Sequence, residues 1–400
     1  MITIAIPHKG AGLEQVLGRL ADAGIVDERS SSFYVGVIQG DKARISYEGE
    51  QIRAGSRESH SSNEEVERRL QRIKKTNPLA FGLKVDYDLQ RAGQPARIMF
   101  KGVETQFNGT PVRVIGRSHY DIPATLYNHE ASLAFVGWDE LYENLIEALQ
   151  TKDGRDWSGF NPYLREGSTD IRILGSAGLD DFVGHWVMMH PVLAQRYFST
   201  FPDNLISGGM GAWRGFAYED SKQNVLLDAD CILIDPKYEK IYQELLKSKR
   251  IHTKFRATQT PEKAIKGNEG VGIYVVQTGN AVKENGLVIV GDPLVVSETV
   301  MAVNKGDFET KPELQRLAKS LNPGRVFDKP RSRAFSAWLR AVQHNLGSSY
   351  LIKSLPFEFG YGLRDLDCEE FRLMRHLEFG DPMSERNMAE PYLLLHQQPA

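Results

Sequence analysis

The chain has 400 residues, 41% of them hydrophobic and 25% charged, which is enough material for two packed domains of a globular protein. A net charge of −3 argues against a nucleic-acid coat or a membrane-surface protein, so neither nucleic acid nor membrane is expected as a partner. The two cysteines, Cys231 and Cys368, are far apart and lack metal-ligand spacing, which excludes a disulfide framework and fits a reducing compartment. With no basic-then-apolar leader at Met1 and no apolar run long enough to span a bilayer, a cytoplasmic location is expected.

The chain opens with an apolar run, Ile2 to Ile6, then a loop, Pro7 to Gly12, then Leu13, Val16, Leu17 and Leu20 at helical spacing. This is a β-loop-α start. In a parallel α/β sheet the loop leaving the carboxyl end of the first strand faces the ligand side, which makes Lys9 and Gly10 candidates for an anionic substrate, with a solvated loop lysine as the alternative. Residues 33–38 and 43–47 read as a β-hairpin, 54–62 as a polar, mobile loop, and Asn63 to Lys75 as a charged helix capped by Ser or Asn. Further strands are expected at 84–88, 96–100 and 111–115.

Asp121-Ile122-Pro123 starts a helix, and Leu133 to Val136 is a buried strand that ends in Gly137-Trp138-Asp139. Gly137 permits either close approach of a ligand to the backbone or tight helix packing. Ile171 to Gly175 and Asp230 to Asp235 are two more strand candidates, the second leading into an amphipathic helix from Tyr238. Between them, 179–227 combines large aromatics with loop glycines and reads as an inserted lid or subunit contact. His185 and His190 lie there, but their spacing is not that of a helical ligand pair, and no metal site of protein side chains is expected.

The stretch 271–287 reads as a buried strand, a small-residue turn and a helix start. Gln277, Thr278, Gly279, Asn280, Ala281 and Val282 would form an anion site, since amides at a helix start point at the turn. An ordinary strand-to-helix turn is the alternative. Glu269 is the acid nearest the strand. Beyond residue 305, helices are expected at 313–319 and 334–342, and no purpose is read for Arg364, Asp365, Asp367 or His376.

Taken in order, these blocks resemble ATP phosphoribosyltransferase, the family that joins ATP to phosphoribosyl pyrophosphate (PRPP) at the opening of histidine biosynthesis. The resemblance lies in Lys9-Gly10 and Ala23-Gly24-Ile25, in Asp121-Ile122-Pro123 through Leu141, in Thr278-Gly279-Asn280, and in Glu284-Asn285-Gly286-Leu287. Five residues depart from it. Ala11 and Gly12 stand where the family has Arg, Ser132 and Tyr274 where it has Asp, and Ala281 where it has a second Thr.

The resemblance implies an α/β fold of two lobes like type II periplasmic binding proteins, with ligands in a cleft between them. One lobe is expected from 1–165 plus 305–400, elaborated over about 33–112, and the other from 166–304 with its insertion at 179–227. It further implies that the 277–282 turn binds the ribose 5-phosphate. Lys9, Gly10, Gly137, Trp138 and Asp139 would line the pyrophosphate and nucleotide site, Glu269 would substitute for the ribose carboxylate, and Mg2+ would enter bound to substrate. PRPP and ATP or a related purine nucleotide would be the substrates of a homo-oligomer, in histidine synthesis or a specialised nucleoside pathway. Two alternatives stand beside this reading: the same cleft with a changed reaction or base, and a binding or regulatory protein without chemistry.

Overall fold

The computed structural model describes residues 1–86, 95–141, 143, 171–179, 181–197, 229–248, 253–258, 260–268, 270–321, 323, 337–338, 340–342, 344–346 and 378–379. The chain divides into two compact units, Met1–Val136 with Met301–Pro323, and Gly137–Val300 with Gly324–Ala400. The boundaries expected at 165/166 and 304/305 therefore fall at 136/137 and 300/301. Of 305–400, expected with the first lobe, 305–323 group with it and the described residues beyond 323 group with the second unit.

In the first unit, β1 (Ile2–Pro7) leads into α1 (Gly10–Asp22), which buries Leu13, Val16, Leu17 and Leu20 completely, the stripe expected from their spacing. The next element is α2 (Glu28–Arg53), a single 26-residue helix where a hairpin was expected. Its β-branched and aromatic residues suggested strands, but beyond the adjacent pair Ser30 and Ser31 the buried positions Tyr34, Ile38, Asp41 and Glu48 recur every three, four or seven residues. That is the period of one helix face. Asp27 fixes the start, its carboxylate accepting from the Ser30 amide at 2.8 Å. The loop expected to be mobile is anchored instead, because the Ser61 amide and hydroxyl and His60 all bond Glu48.

The helix α3 (Asn63–Thr76) begins with a reciprocal cap between Ser62 and Glu65, as its sequence indicates. Then come β2 (Leu83–Asp86) and β3 (Arg97–Phe100), which form an antiparallel pair of their own, β4 (Gly102–Phe107), β5 (Thr110–Arg117), α4 (Asp121–Tyr127) and β6 (Leu133–Gly137). Asp41 ties these pieces together: it is 1% exposed and accepts from Arg44 at 3.0 Å, Arg69 at 3.3 Å and the Ile98 amide at 2.8 Å. Asp41→Ala leaves two guanidinium groups and an amide short of their acceptor. It is expected to cost about 3 kcal/mol in urea denaturation, whereas a loss within about 0.5 kcal/mol would remove Asp41 as a tie.

The second unit contains β7 (Ile171–Ser176), β8 (Val183–Met189), α5 (Pro191–Tyr197), β9 (Ile232–Ile234), α6 (Glu239–Ser248), β10 (Phe255–Ala257), α7 (Pro261–Asn268), β11 (Val271–Val276), α8 (Asn280–Glu284) and β12 (Val288–Ser297). Its five-stranded sheet runs β10-β9-β11-β8-β12, parallel across β10, β9 and β11, with β8 antiparallel to both its neighbours. The part of 179–227 at Val183–Met189 is thus an internal strand with Trp186 fully buried, not a lid. Residues 198–228, with Trp213 and Arg214, lie outside the described residues.

The chain returns through β13 (Thr299–Asn304), α9 (Lys305–Thr310) and α10 (Pro312–Ser320). The strand order within the first unit is β13-β6-β1-β5-β4, with β1 parallel to β5 and β6 and β4 antiparallel to β5. Ser132, which replaces the family's Asp ahead of β6, donates to Asp307 on α9. A short strand, β14 (Glu378–Phe379), pairs parallel with β7. No described helix is long and apolar enough to cross a membrane.

Candidate functional site

The strand, turn and helix start read around residue 276 are present in that order. Central in its sheet, β11 packs so closely at Gly272 that an added Cβ would lie 2.7 Å from the Leu233 carbonyl oxygen. Gln277 and Thr278 are exposed, while Gly279 is buried with φ of 84°, a left-handed conformation suited to glycine, and Asn280 opens α8. The helix closes with the Lys283 amide on the Gly279 carbonyl at 3.0 Å and is anchored by Val282, which is fully buried. The Thr278 hydroxyl accepts a long bond, 3.5 Å, from the Asn280 amide. Among the described residues, the amides of Thr278, Gly279, Ala281 and Val282 donate to no backbone carbonyl.

Gly137, Trp138 and Asp139 follow directly on the boundary at 136/137, at the start of the second unit. Asp139 is buried and both its oxygens are engaged: Ser297 donates to one at 2.6 Å, and His185 Nε2 lies 2.9 Å from the other. The opposite nitrogen of His185 is 2.7 Å from the Tyr242 hydroxyl. Burial alone would raise the Asp139 carboxyl, but the hydrogen bond and charge of His185, helped by Ser297 and Lys237, hold it down at about 2. Both oxygens of the carboxylate expected at the nucleotide site are thus bonded to residues of the second unit. Trp138 is also buried, its amide donating to the Glu298 carbonyl at 3.1 Å.

Glu140 behaves oppositely to its neighbour. Burial, reinforced by the Asp139 charge, pushes its carboxyl up to about 8, so it keeps its proton at neutral pH. Gly137 serves these two acids, because a Cβ there would sit 2.7 Å from Asp139 Oδ1 and 3.2 Å from Glu140 Oε2. Of the two roles open to Gly137, packing is the one with a contact behind it. Glu143 continues the pattern, capping α6 with bonds from the Lys240 and Ile241 amides at 2.9 and 2.8 Å.

Lys9 and Gly10 lie in the first unit, just beyond the carboxyl end of β1, with Lys9 half-buried at the start of α1. Next to them is a group that the sequence reading passed over. The ring of His8 is buried and neither nitrogen has a hydrogen-bond partner among the described residues, and burial, followed by the charges of Lys9, Lys84 and His119, lowers its pKa to about 3. Its only signal in sequence is its place beside Lys9. Glu269 lies outside the described residues, and Tyr274, in the position of the family Asp, is half-buried on β11 opposite Trp186.

Together these features define an α/β protein of two units, with a glycine-hinged turn at the end of a central strand in one and a lysine-glycine loop after the first strand of the other. Residues 1–209 and 219–326 match the halobacterial ATP phosphoribosyltransferase family, and the chain belongs to that family. The match includes 33–112 and most of 179–227, which are therefore family features rather than insertions peculiar to this chain. No curated protein matches it. Among solved structures, the chain is similar to the ATP phosphoribosyl transferase (HisG:HisZ) complex from Thermotoga maritima, at 16% identity and a TM-score of 0.36, over 80% of this chain and 98% of that one. It is similar also to the reduced regulatory domain of OxyR2 from Vibrio vulnificus, at 8% identity and a TM-score of 0.28, over 52% of this chain and 79% of that one.

Proposed function

We propose that the chain transfers the phosphoribosyl group of PRPP to ATP or a related purine nucleotide, releasing pyrophosphate. The observation that carries this reading is the 277–282 turn of a family member, with four backbone amides that meet no backbone carbonyl among the described residues. Those amides and the Thr278 hydroxyl would take the 5-phosphate, while Lys9 and Gly10 would face the pyrophosphate. A base nitrogen of the acceptor forms a bond to the anomeric carbon as the bond to pyrophosphate breaks, and the leaving group departs with the electron pair. Mg2+ would come bound to PRPP and supply charge to the departing pyrophosphate. Protein groups act by positioning and by charge. Glu269, just ahead of β11 in the sequence, is our candidate for the ribose hydroxyls. We assign the reaction to the cytoplasm and to a homo-oligomer as part of this proposal.

A second reading is favoured by Tyr274 and Ala281, which remove a carboxylate and a hydroxyl from the family pattern at this turn. Under it the acceptor base or the reaction differs. The experiment is release of pyrophosphate from MgPRPP by the purified chain with ATP, ADP, AMP or other purine nucleotides. Release that requires ATP supports the first reading, and release with another acceptor the second. PRPP binding without release would leave a binding protein, and no binding of PRPP would remove all phosphoribosyl readings.

A further inference from the structure

Beyond the family match, which ends at residue 326, a piece of chain lies against the turn. The described residues among 337–346 are helical, and Val342 and Leu346 join a core cluster with Phe182, Trp186, Val276 and Val282. The Trp338 ring stands 5.9 Å from that of Phe182 and 5.7 Å from that of Trp186. From this apolar footing two polar groups reach the turn. Trp338 Nε1 donates to the Gln277 carbonyl at 2.8 Å, and Asn345 Nδ2 donates to the Thr278 carbonyl and to Asn280 Oδ1, each at 2.6 Å. One amide nitrogen carries two hydrogens, so both Asn345 bonds form together.

Resting on the phosphate reading above, we infer that Trp338 and Asn345 are positioning residues that set the direction of the turn's amides. A trans peptide is planar, with its C=O and N–H pointing opposite ways, and no peptide bond among the described residues is cis. With the Gln277 carbonyl turned to Trp338, the Thr278 N–H faces away from the clamp. With the Thr278 carbonyl turned to Asn345, the Gly279 N–H does the same. Two consecutive donors are thus fixed on the side of the turn away from residues 337–346. Leu346 closes the remaining freedom, since it lies within 2.8 Å of where a Gly279 Cβ would be. Donors fixed before binding cost less ordering when the anion arrives.

The test measures dissociation constants of the full chain for MgPRPP and, separately, for ATP, with melting temperatures. Asn345→Ala removes two bonds to the turn. Trp338→Phe keeps the ring packing and removes one. We expect the PRPP constant to rise about tenfold for Asn345→Ala and about threefold for Trp338→Phe, with ATP binding and melting unchanged. PRPP and ATP affinity falling together with the melting temperature would show mere structural support and overturn the inference. If Thr278→Ala weakens PRPP binding while both clamp variants match the parent, the phosphate reading stands and the inference falls. If the parent itself does not bind PRPP, both fall.

Discussion

Replacing Gly279 with valine is expected to weaken PRPP binding by about a hundredfold or more, well beyond the effect of Thr278→Ala. Two independent obstacles act at this residue. Its φ of 84° is a conformation that a β-branched side chain resists, at about 1–3 kcal/mol. An added Cβ also meets Leu346 Cδ2 at 2.8 Å and Cγ at 3.0 Å, so the turn or the residues packed on it must shift. Thr278→Ala removes a single hydroxyl, worth about 0.5–1.5 kcal/mol, and leaves every backbone donor in place. Isothermal titration with MgPRPP decides between these outcomes. Parent-like affinity in Gly279→Val would show that the loop is only a turn.

Glu140→Gln is expected to make the protein more stable than the parent at pH 9, by about 2 kcal/mol or more, and to leave it similar at pH 5. The Glu140 carboxyl is raised to about 8 in the folded chain, from an ordinary value of 4.5. Its contribution is therefore fully present below about pH 4.5 and is lost as pH rises through about 8, when a charge must form in a buried site beside Asp139. Glutamine has no such proton to lose. Asp139 works in the opposite sense, because its carboxyl is lowered to about 2 and its contribution is lost as pH falls from about 4 toward 2. Urea midpoints at pH 5, 7 and 9 test the pair, and a constant difference between Glu140→Gln and the parent across that range would remove Glu140 as the source.

The β-loop-α opening was legible because Leu13, Val16, Leu17 and Leu20 report one helix face directly, and the 271–287 strand, turn and helix because small residues punctuate a β-branched run. The α2 helix was not. Phe33 to Ile38 has strand composition, and only tertiary burial of Tyr34, Ile38 and Asp41 selects the helix. The hairpin of β4 and β5 had a local signal in Asn108-Gly109, whose φ values of 49° and 80° suit a tight turn, but the polar alternation of Gly102–Phe107 hid its strand. Of the candidate site, backbone features such as Gly279 followed from local sequence. The commitment of Asp139 to His185 and Ser297 did not, since those partners lie 46 and 158 residues away. The hold of Asn345 on the turn spans 67 residues to Thr278 and was equally invisible.

The order of the chain through its two units has a consequence for how the protein is made. The first unit is interrupted after Val136 and resumes only at Met301, yet β13 is the neighbour that completes the β6 side of its sheet. At roughly 5–20 residues per second on a ribosome, β6 waits on the order of ten to thirty seconds for that partner. During that interval a strand whose Leu133, Ala134 and Phe135 end up wholly buried has an open edge, the template on which neighbouring nascent chains pair. Slower translation across 137–300, or less shielding of that edge by chaperones, is therefore expected to lower the yield of folded protein without changing the stability of the finished molecule.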